Sequence, residues 1–437
     1  MSPKRRVHLG IDYGTSSSKI VFRDYGAPGG ETAVVVVRDG SFRIPSRVCL
    51  TASDLLFGDE QRTTENCDIY ESVKMQVAAE VSNNPRHYYG PLKAMPSGFA
   101  SVDLAALTVW FLISEGHRAV AAYLKGRMDL ISVGMTMGVP MAFFKDRQLR
   151  STFLGIPRRA WMLYRGEGLL GSALLRDKAL WVLDKYPLAA VPETREEEVR
   201  DWVRSEGEAA MWWPFQSPAV APGRYAKVDI GAGTSHSSFF QIFGNMGIAK
   251  TGMAFLSAAS ESVGMDAVDR AIAESEELGG DCLALRGLEQ SILQKSAKAR
   301  GALIPVRDGI YHAFRKGWIE THQKIKQSVA EVQSWRDVKL FVIGGGSLIP
   351  TIAEAFKVHP AGVNPMLQLV VLEQPPELVR ADAAKVSKDE LPFVTVAYGL
   401  SNIGLSIPEA LTPDQVPPMR EPTQRRKRLD HEDIYAK

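Results

Sequence analysis

Gly10-Ile-Asp-Tyr-Gly-Thr-Ser-Ser-Ser18 lies between the apolar run Val7-His-Leu9 and Lys19-Ile-Val-Phe22, and it returns loosely at Asp229-Ile-Gly-Ala-Gly-Thr-Ser-His-Ser-Ser-Phe239. Each copy reads as a strand, an acidic residue near its end, a glycine-bounded tight turn carrying Thr or Ser, and a second strand coming back. Two such hairpins more than 200 residues apart imply a duplicated fold.

The chemistry of that pattern is phosphate binding with a metal. Glycines let the N–H groups of a turn come close to phosphate oxygens, Thr and Ser hydroxyls add donors, and a carboxylate in each hairpin can hold the water shell of Mg²⁺. Taken alone, either turn reads equally as an ordinary β-hairpin. A third segment changes that: Leu340-Phe-Val-Ile-Gly344-Gly-Gly-Ser-Leu-Ile-Pro350 reads as a buried strand running into a glycine turn, with an amphipathic helix at 351–356. The missing side chains of Gly344, Gly345 and Gly346, with Ser347 beside them, leave a flat surface for a ribose and a base. G-x-x-x-x-G-K-[ST] does not occur, so that commoner phosphate-binding loop is not supported.

In this order the three segments resemble the phosphate-1, phosphate-2 and adenosine motifs of the actin, sugar-kinase and heat-shock-chaperone ATPase superfamily. Further segments resemble the DnaK-type (heat shock protein 70-like) chaperones: Ile44-Pro-Ser-Arg-Val-Cys-Leu50 with Phe57-Gly-Asp-Glu60, Glu71-Ser-Val-Lys74, Val139-Pro-Met-Ala-Phe-Phe-Lys-Asp146, Ser205-Glu-Gly-Glu-Ala-Ala210 and Val396-Ala-Tyr-Gly399. Asp12 and Lys74 stand 62 positions apart, close to that family's spacing. The resemblance covers roughly residues 6–405. It departs at His236, where the family has Asp, at Gly207, where it has the proline of an E-P motif, and at Leu348, where it has a residue that stacks a guanidinium on adenine.

The resemblance implies an α/β, two-lobed actin-like ATPase (ribonuclease H-like) fold, with duplicated mixed five-stranded sheets and flanking helices. Lobe I is expected over 1–228, with an outer subdomain at about 38–112 and an insertion at about 166–198. Lobe II is expected over 229–406, with an outer subdomain at about 257–325, and a proline-rich, mixed-charge disordered tail over 407–437. The peptide-binding domain of complete chaperones is not expected within these residues.

It also implies roles. Gly14, Thr15 and Ser16 bind the β- and γ-phosphates of ATP, Gly231, Gly233 and Thr234 close on them, and Asp12 and Asp229 hold Mg²⁺ through water. Lys74 faces the γ-phosphate, and Glu206 or Asp229 positions the attacking water. Lys295 and Lys298 fall roughly where the family has a basic helix along the nucleotide pocket, and they read equally as a solvated face. Asp at the end of a strand, Lys in a polar stretch and Glu206 beside Glu208 each have bland readings as surface or helix-dipole residues. His236 reads as a strand residue facing the sheet.

Composition sets the outer bounds. The 437 residues are 45% hydrophobic and 23% charged, an ordinary globular balance. A net charge of +2 gives no long-range field, so nucleic acid is not the expected partner. Cys49, Cys67 and Cys282 lack metal-ligand spacing and point to a reducing compartment. With no apolar leader and no long apolar run, the expected compartment is the cytoplasm and no membrane is expected.

Along the chain, 7–22, 32–37, 47–50, 130–137, 227–248 and 339–343 read as strands. The stretches 101–124 (capped by Ser101), 257–278 and 288–302 read as helices. Leu169, Leu170, Leu174, Leu175, Leu180, Trp181, Val182 and Leu183 fall at helical spacing, either packed on lobe I or presented to a partner. The expected activity is slow ATP hydrolysis that opens and closes the lobes to regulate a separate protein, with oligomeric state open. A filament-forming actin-like ATPase and a metabolite kinase of the same superfamily are the alternatives.

Overall fold

Strand β1 (Arg5–Asp12) alternates as its sequence requires. Val7, Leu9 and Ile11 enter one core, and Gly10 leaves the other face bare. A Cβ on Gly10 would stand 2.2 Å from the Ala397 carbonyl oxygen, so the glycine allows a helix to lie directly on the strand. β2 (Ser17–Asp24) returns antiparallel with Asp12 opposite Lys19, sending Ile20 and Phe22 into the same core as β1 and Val21 to the opposite face. β3 (Thr32–Val35) adds antiparallel to β2, while β8 (Ile131–Val139) and then β10 (Val203–Ser205) add parallel on the far side of β1.

A second sheet repeats this plan. β11 (Gly223–Ile230), β12 (Ser235–Phe243) and β13 (Gly252–Glu261) are antiparallel neighbours, and β14 (Asp337–Ile343) and β15 (Met366–Leu369) add parallel beside β11. In both sheets the order is third, second, first, fourth, fifth strand, with the same directions. Each sheet has its own core. Helix α2 (Ser101–Tyr123) and α3 (Arg147–Glu167) cover the first, and α6 (Met265–Glu276) and α8 (Ala297–Ser328) cover the second, where Leu303, Ile310, Phe314 and Trp318 recur at helical spacing. A smaller sheet, β7 (Asp68–Tyr70), β5 (Val48–Leu50), β6 (Asp54–Phe57) and β9 (Ala173–Leu175), sits outside the first, beside α1 (Val73–Val81). This is a mixed α/β protein with about ten helices among the described residues.

The structure is a computed structural model that describes residues 5–403 apart from 29, 59–66, 83–93, 126–130, 141–142, 144–145, 191–200, 217–222, 244–251, 262, 279–287, 329–336, 354–355, 357–365, 370–372 and 383. The tail at 407–437 and residues 191–198 of the expected insertion lie outside the described residues. Among the described residues no helix is long and apolar enough to cross a membrane.

Several expectations are corrected. The first sheet has seven strands rather than five, because β4 (Ile44–Pro45) pairs with β2 and β16 (Leu378–Arg380) pairs in parallel with β3. The chain thus returns to the first half before residue 406, and α10 (Leu391–Leu400) packs on β1 and β2. The stretch 257–278 begins as strand: Ser257 to Glu261 complete β13, since pairing with β12 outweighs the helix propensity of Ala and Ser. The helix expected over 288–302 breaks at Ser296 into α7 (Glu289–Lys295) and α8. The apolar residues of 169–183 divide among a turn, β9 and α4 (Arg176–Lys185). Ala100, not Ser101, caps α2: its N–H donates to Asp103 at 2.7 Å, and the Ser101 hydroxyl bonds Glu80 instead.

Close packing of α10 yields the first prediction. A Cβ on Gly399 would stand 1.9 Å from the carbonyl oxygen of Ala209 in α5 (Glu206–Gln216). Gly399→Ala is expected to lower unfolding stability by about 1–3 kcal/mol. Gly301→Ala in α8, where the added methyl meets nothing within 4 Å, is expected to raise it by about 0.5–1 kcal/mol. Urea unfolding of the two variants beside the parent checks both signs.

Candidate functional site

The two hairpin turns meet. The point where a Cβ would stand on Gly233, in the β11–β12 turn, lies 3.1 Å from Thr15 Cγ2 in the β1–β2 turn. Each turn is tightened by a glycine: the Gly14 N–H donates to the Asp12 carbonyl at 3.1 Å, and the Gly231 N–H donates to the Thr234 carbonyl at 2.9 Å. A Cβ on Gly14 would be only 2.2 Å from the Ser17 carbonyl oxygen. The second turn is anchored from behind by α6, whose Met265 and Asp266 N–H groups donate to the carbonyls of Gly231 and Ala232 at 2.9 and 2.8 Å.

Between the sheets lies a cleft of about 470 Å³. Asp12, Gly14, Thr15, Ser16, Lys74, Glu206, Asp229, Gly231, Thr234, Gly344 and Gly345 all line it. The glycine turn after β14 continues as a short 3-10 segment over Gly345–Leu348 and the single turn α9 (Pro350–Ala353). Gly344 has a φ of +79°, and a Cβ there would approach Asp229 Oδ1 to 2.7 Å, so this position accepts only glycine without strain. Gly346 is buried against Ile230, and the Ser347 hydroxyl closes the turn by donating to the Gly344 carbonyl at 2.7 Å.

Lys295 and Lys298 stand elsewhere. Both are exposed and neither borders the cleft; Lys298 is 65% exposed and pairs with Glu277 at 3.5 Å. The break at Ser296 turns this basic stretch to solvent, so it forms a solvated face. His236, expected to face only the sheet, borders the cleft from β12, opposite Asp229 in register.

Lys74 holds the centre. Its ammonium is buried and donates to the Tyr13 carbonyl at 2.6 Å and to Glu206 Oε1 at 2.5 Å. Ser72 enters α1 in the left-handed region with φ 52° and ψ 31°, an uncommon conformation for a non-glycine residue that starts the helix two residues before Lys74. Glu206 opens α5, whose N-terminus is capped by the Ser205 hydroxyl accepting from the Gly207 N–H at 3.1 Å. The missing side chain of Gly138 leaves room for Glu206, since a Cβ there would lie 3.0 Å from Glu206 Cγ.

Burial sets the electrostatics. The Asp12 carboxyl is pushed up to about 6, first by desolvation; Lys19, 3.6 Å away, opposes this and the charges of Glu206 and Asp229 add to it. The His236 imidazole is pushed down to about 4, again mainly by desolvation, with Asp229 opposing, so it is neutral at pH 7. It shares a 2.9 Å hydrogen bond between Nε2 and Thr234 Oγ1. Lys227, buried one turn of the strand earlier, reaches Asp229 at 3.7 Å. Among the described residues no three His, Cys, Asp or Glu side chains converge closely enough to hold a metal ion directly.

Sequence reasoning missed Lys19, Met265, Asp269, Glu289 and Phe393, which also border the cleft. Lys19 could have been found, since it stands seven residues after Asp12 as His236 does after Asp229. The other four reach the cleft only through tertiary packing. A scan of the sequence against protein-family models gave no match, and a search of curated proteins gave none.

The two perturbed groups predict opposite pH effects in metal-free buffer. Asp12, raised above its unfolded value, makes the folded state bind extra protons between about pH 4 and 6, so its contribution to stability falls as pH rises through that window. His236, lowered below its unfolded value, makes the folded state bind fewer protons between about pH 4 and 6.5, so its contribution is lost as pH falls. The stability of Asp12→Asn relative to the parent is therefore expected to rise with pH across the window, and that of His236→Asn to fall. Denaturant titrations at pH 4.5 and 7 decide it.

Proposed function

We propose that this chain is a two-lobed, actin-like ATPase of the heat-shock-chaperone type that binds ATP with Mg²⁺ in the cleft, hydrolyses it slowly and acts on a separate protein through lobe closure. The observation that carries the reading is the repeated strand order, which brings two glycine turns, Asp12 and Asp229 to one cleft beside Lys74 and Glu206. The residues fit a hydrated divalent cation. Asp12 and Asp229 of separate hairpins face the cleft, among the described residues no three carboxylates converge into a direct ligand set, and burial pushes the Asp12 carboxyl up to about 6. Asp12 and Asp229 would hold the ion through water, and the ion would supply charge neutralisation at the phosphates.

The chain's own residues then divide the work. The turns carrying Gly14, Thr15 and Ser16 and Gly231, Gly233 and Thr234 bind the β- and γ-phosphates from opposite lobes. Lys74 presents an ammonium to the charge that develops on the γ-phosphoryl group. Glu206, fixed through one carboxylate oxygen by Lys74, orients water for in-line attack; the new P–O bond forms as the bond to ADP breaks. Because the two turns touch, phosphate binding and lobe closure are one event.

For the partner, the reading points to the 166–185 region, where Leu169, Leu175 and Trp181 are 47%, 62% and 48% exposed beside the outer sheet. The wide spacing of the three cysteines fits a reducing, cytoplasmic setting.

Lys74→Ala tests the chemistry. Single-turnover hydrolysis is expected to fall about 10²–10³-fold, while ATP affinity by calorimetry stays within about tenfold. Asp229→Asn is expected to lower Mg²⁺-dependent turnover by about 10²-fold, roughly 2.7 kcal/mol. Parent-like turnover in both variants would rule the cleft out as a hydrolytic site.

A further inference from the structure

A groove of about 470 Å³ between α2, α3 and the start of β8 shares no lining residue with the cleft. Ile131 and Val133 of β8 give it an apolar base, beyond the stretch Met137–Val139 where β10 pairs with β8. Trp161 and Tyr164 of α3 wall it, with ring centroids 5.0 Å apart and the rings inclined at 42°. Trp202 packs edge-on against Trp161 at 6.3 Å and steadies that indole.

The rim of the groove is fixed to α2. After Glu167 the chain turns at Gly168, whose φ of +82° favours glycine. The Gly168 carbonyl accepts from Trp110 Nε1 at 2.9 Å, the Leu170 N–H donates to Ser114 Oγ at 2.9 Å, and Arg118 donates to the Leu170 carbonyl. Trp110, Ser114 and Arg118 recur every four residues along one face of α2. Together they clamp the turn that brings Leu169, 47% exposed, to the groove.

The polar groups are few and unlike one another. Tyr164 Oη and His117 Nδ1 share a hydrogen bond of 2.5 Å. Burial pushes the imidazole down, helped by the Arg118 charge, and pushes the phenol up, so the pair is uncharged at neutral pH. The formal charge in the lining is the exposed Arg165 guanidinium, and among the described residues no carboxylate borders the groove. Glu115 is engaged by Arg118, and Glu167 by Lys178 and Lys185 at 2.9 and 2.7 Å. Apolar and aromatic walls suit a flat hydrocarbon body, and one cation without a competing acid suits a single negative charge at its edge. A phosphate group would call on more donors than one guanidinium supplies, so a carboxylate is the better match.

We propose that this groove is a second ligand site, and that it takes a small planar molecule carrying one carboxylate. It does so whatever the cleft binds, and its clamped rim loses little freedom when the ligand enters.

Calorimetric titration of the full chain with 2-naphthylacetate and, separately, with 2-naphthylacetamide tests the site. The acid is expected to bind with a Kd at or below about 1 mM, the level that ordinary ligand efficiency gives for its roughly fourteen non-hydrogen atoms. It should bind at least about fivefold more tightly than the amide, which keeps the ring and lacks the charge. Arg165→Gln should remove the acid's advantage while leaving the amide within about twofold of the parent. Leu169→Asp, which sets a carboxylate among the lining residues, should weaken the acid at least about fivefold and the amide far less. Both residues are exposed, so neither variant depends on repacking a core. Equal affinity of the parent for acid and amide, an acid affinity unchanged in both variants, or no saturable binding up to about 10 mM would overturn the assignment.

Discussion

A buried ammonium cannot be left without acceptors, and Lys74 imposes that constraint on three separate elements. Removing such a group from water costs several kcal/mol, which only well-placed partners offset. Its partners are the Tyr13 carbonyl in the first turn and the Glu206 carboxylate at the start of α5, with the Tyr13 ring 6.0 Å away. Helix α1, the β1–β2 turn and α5 are therefore fixed relative to one another by a single charge. Local geometry serves the same end, through the left-handed Ser72, the capping hydroxyl of Ser205 and the bare backbone of Gly138.

Ala209, Ala210, Ile343, Val396 and Leu400 form a separate cluster joining α5, β14 and α10. It contains no large aromatic side chain that would interlock the sheets, and Gly10 and Gly399 let α10 approach backbone to backbone. The cores on either side are filled by rings such as Phe57 on Phe111 and Phe239 on Phe314.

The hairpins were legible because strand, acidic residue, glycine turn and strand lie within some fifteen consecutive residues, and local chemistry dictates each step. Glu206 and Lys74 were legible through spacing and flanking residues, although nothing in the sequence shows that they bond each other. Met265 and Phe393 were not, since they are separated by more than a hundred positions and approach each other only across Gly345. Strand β13 was misread for a different reason. Its Ser-Ala-Ala-Ser stretch favours helix locally, and only the partner strand β12 makes it extended. The return of β16 and α10 to the first sheet has no local signal either, being a property of topology.

Charge in the cleft bears on what it can accept. Asp12, Glu206, Asp229, Asp269, Glu289, Asp389 and Glu390 border it, against Lys19 and Lys74 on the same walls and an exposed Arg43 at the rim. Lys74 is already engaged by Glu206, and Lys19 lies near Asp12, so little positive charge is left over for an incoming polyanion. His236 adds none, because burial keeps it neutral. A polyphosphate entering alone would meet net repulsion at close range in a poorly screened site. On the proposed reading a divalent cation would reverse the balance, and Asp12 and Asp229, one from each hairpin, would hold its water shell. On that reading, the duplication that builds two sheets would also make the site dependent on a third charge, because each hairpin brings a carboxylate and no free cation of its own.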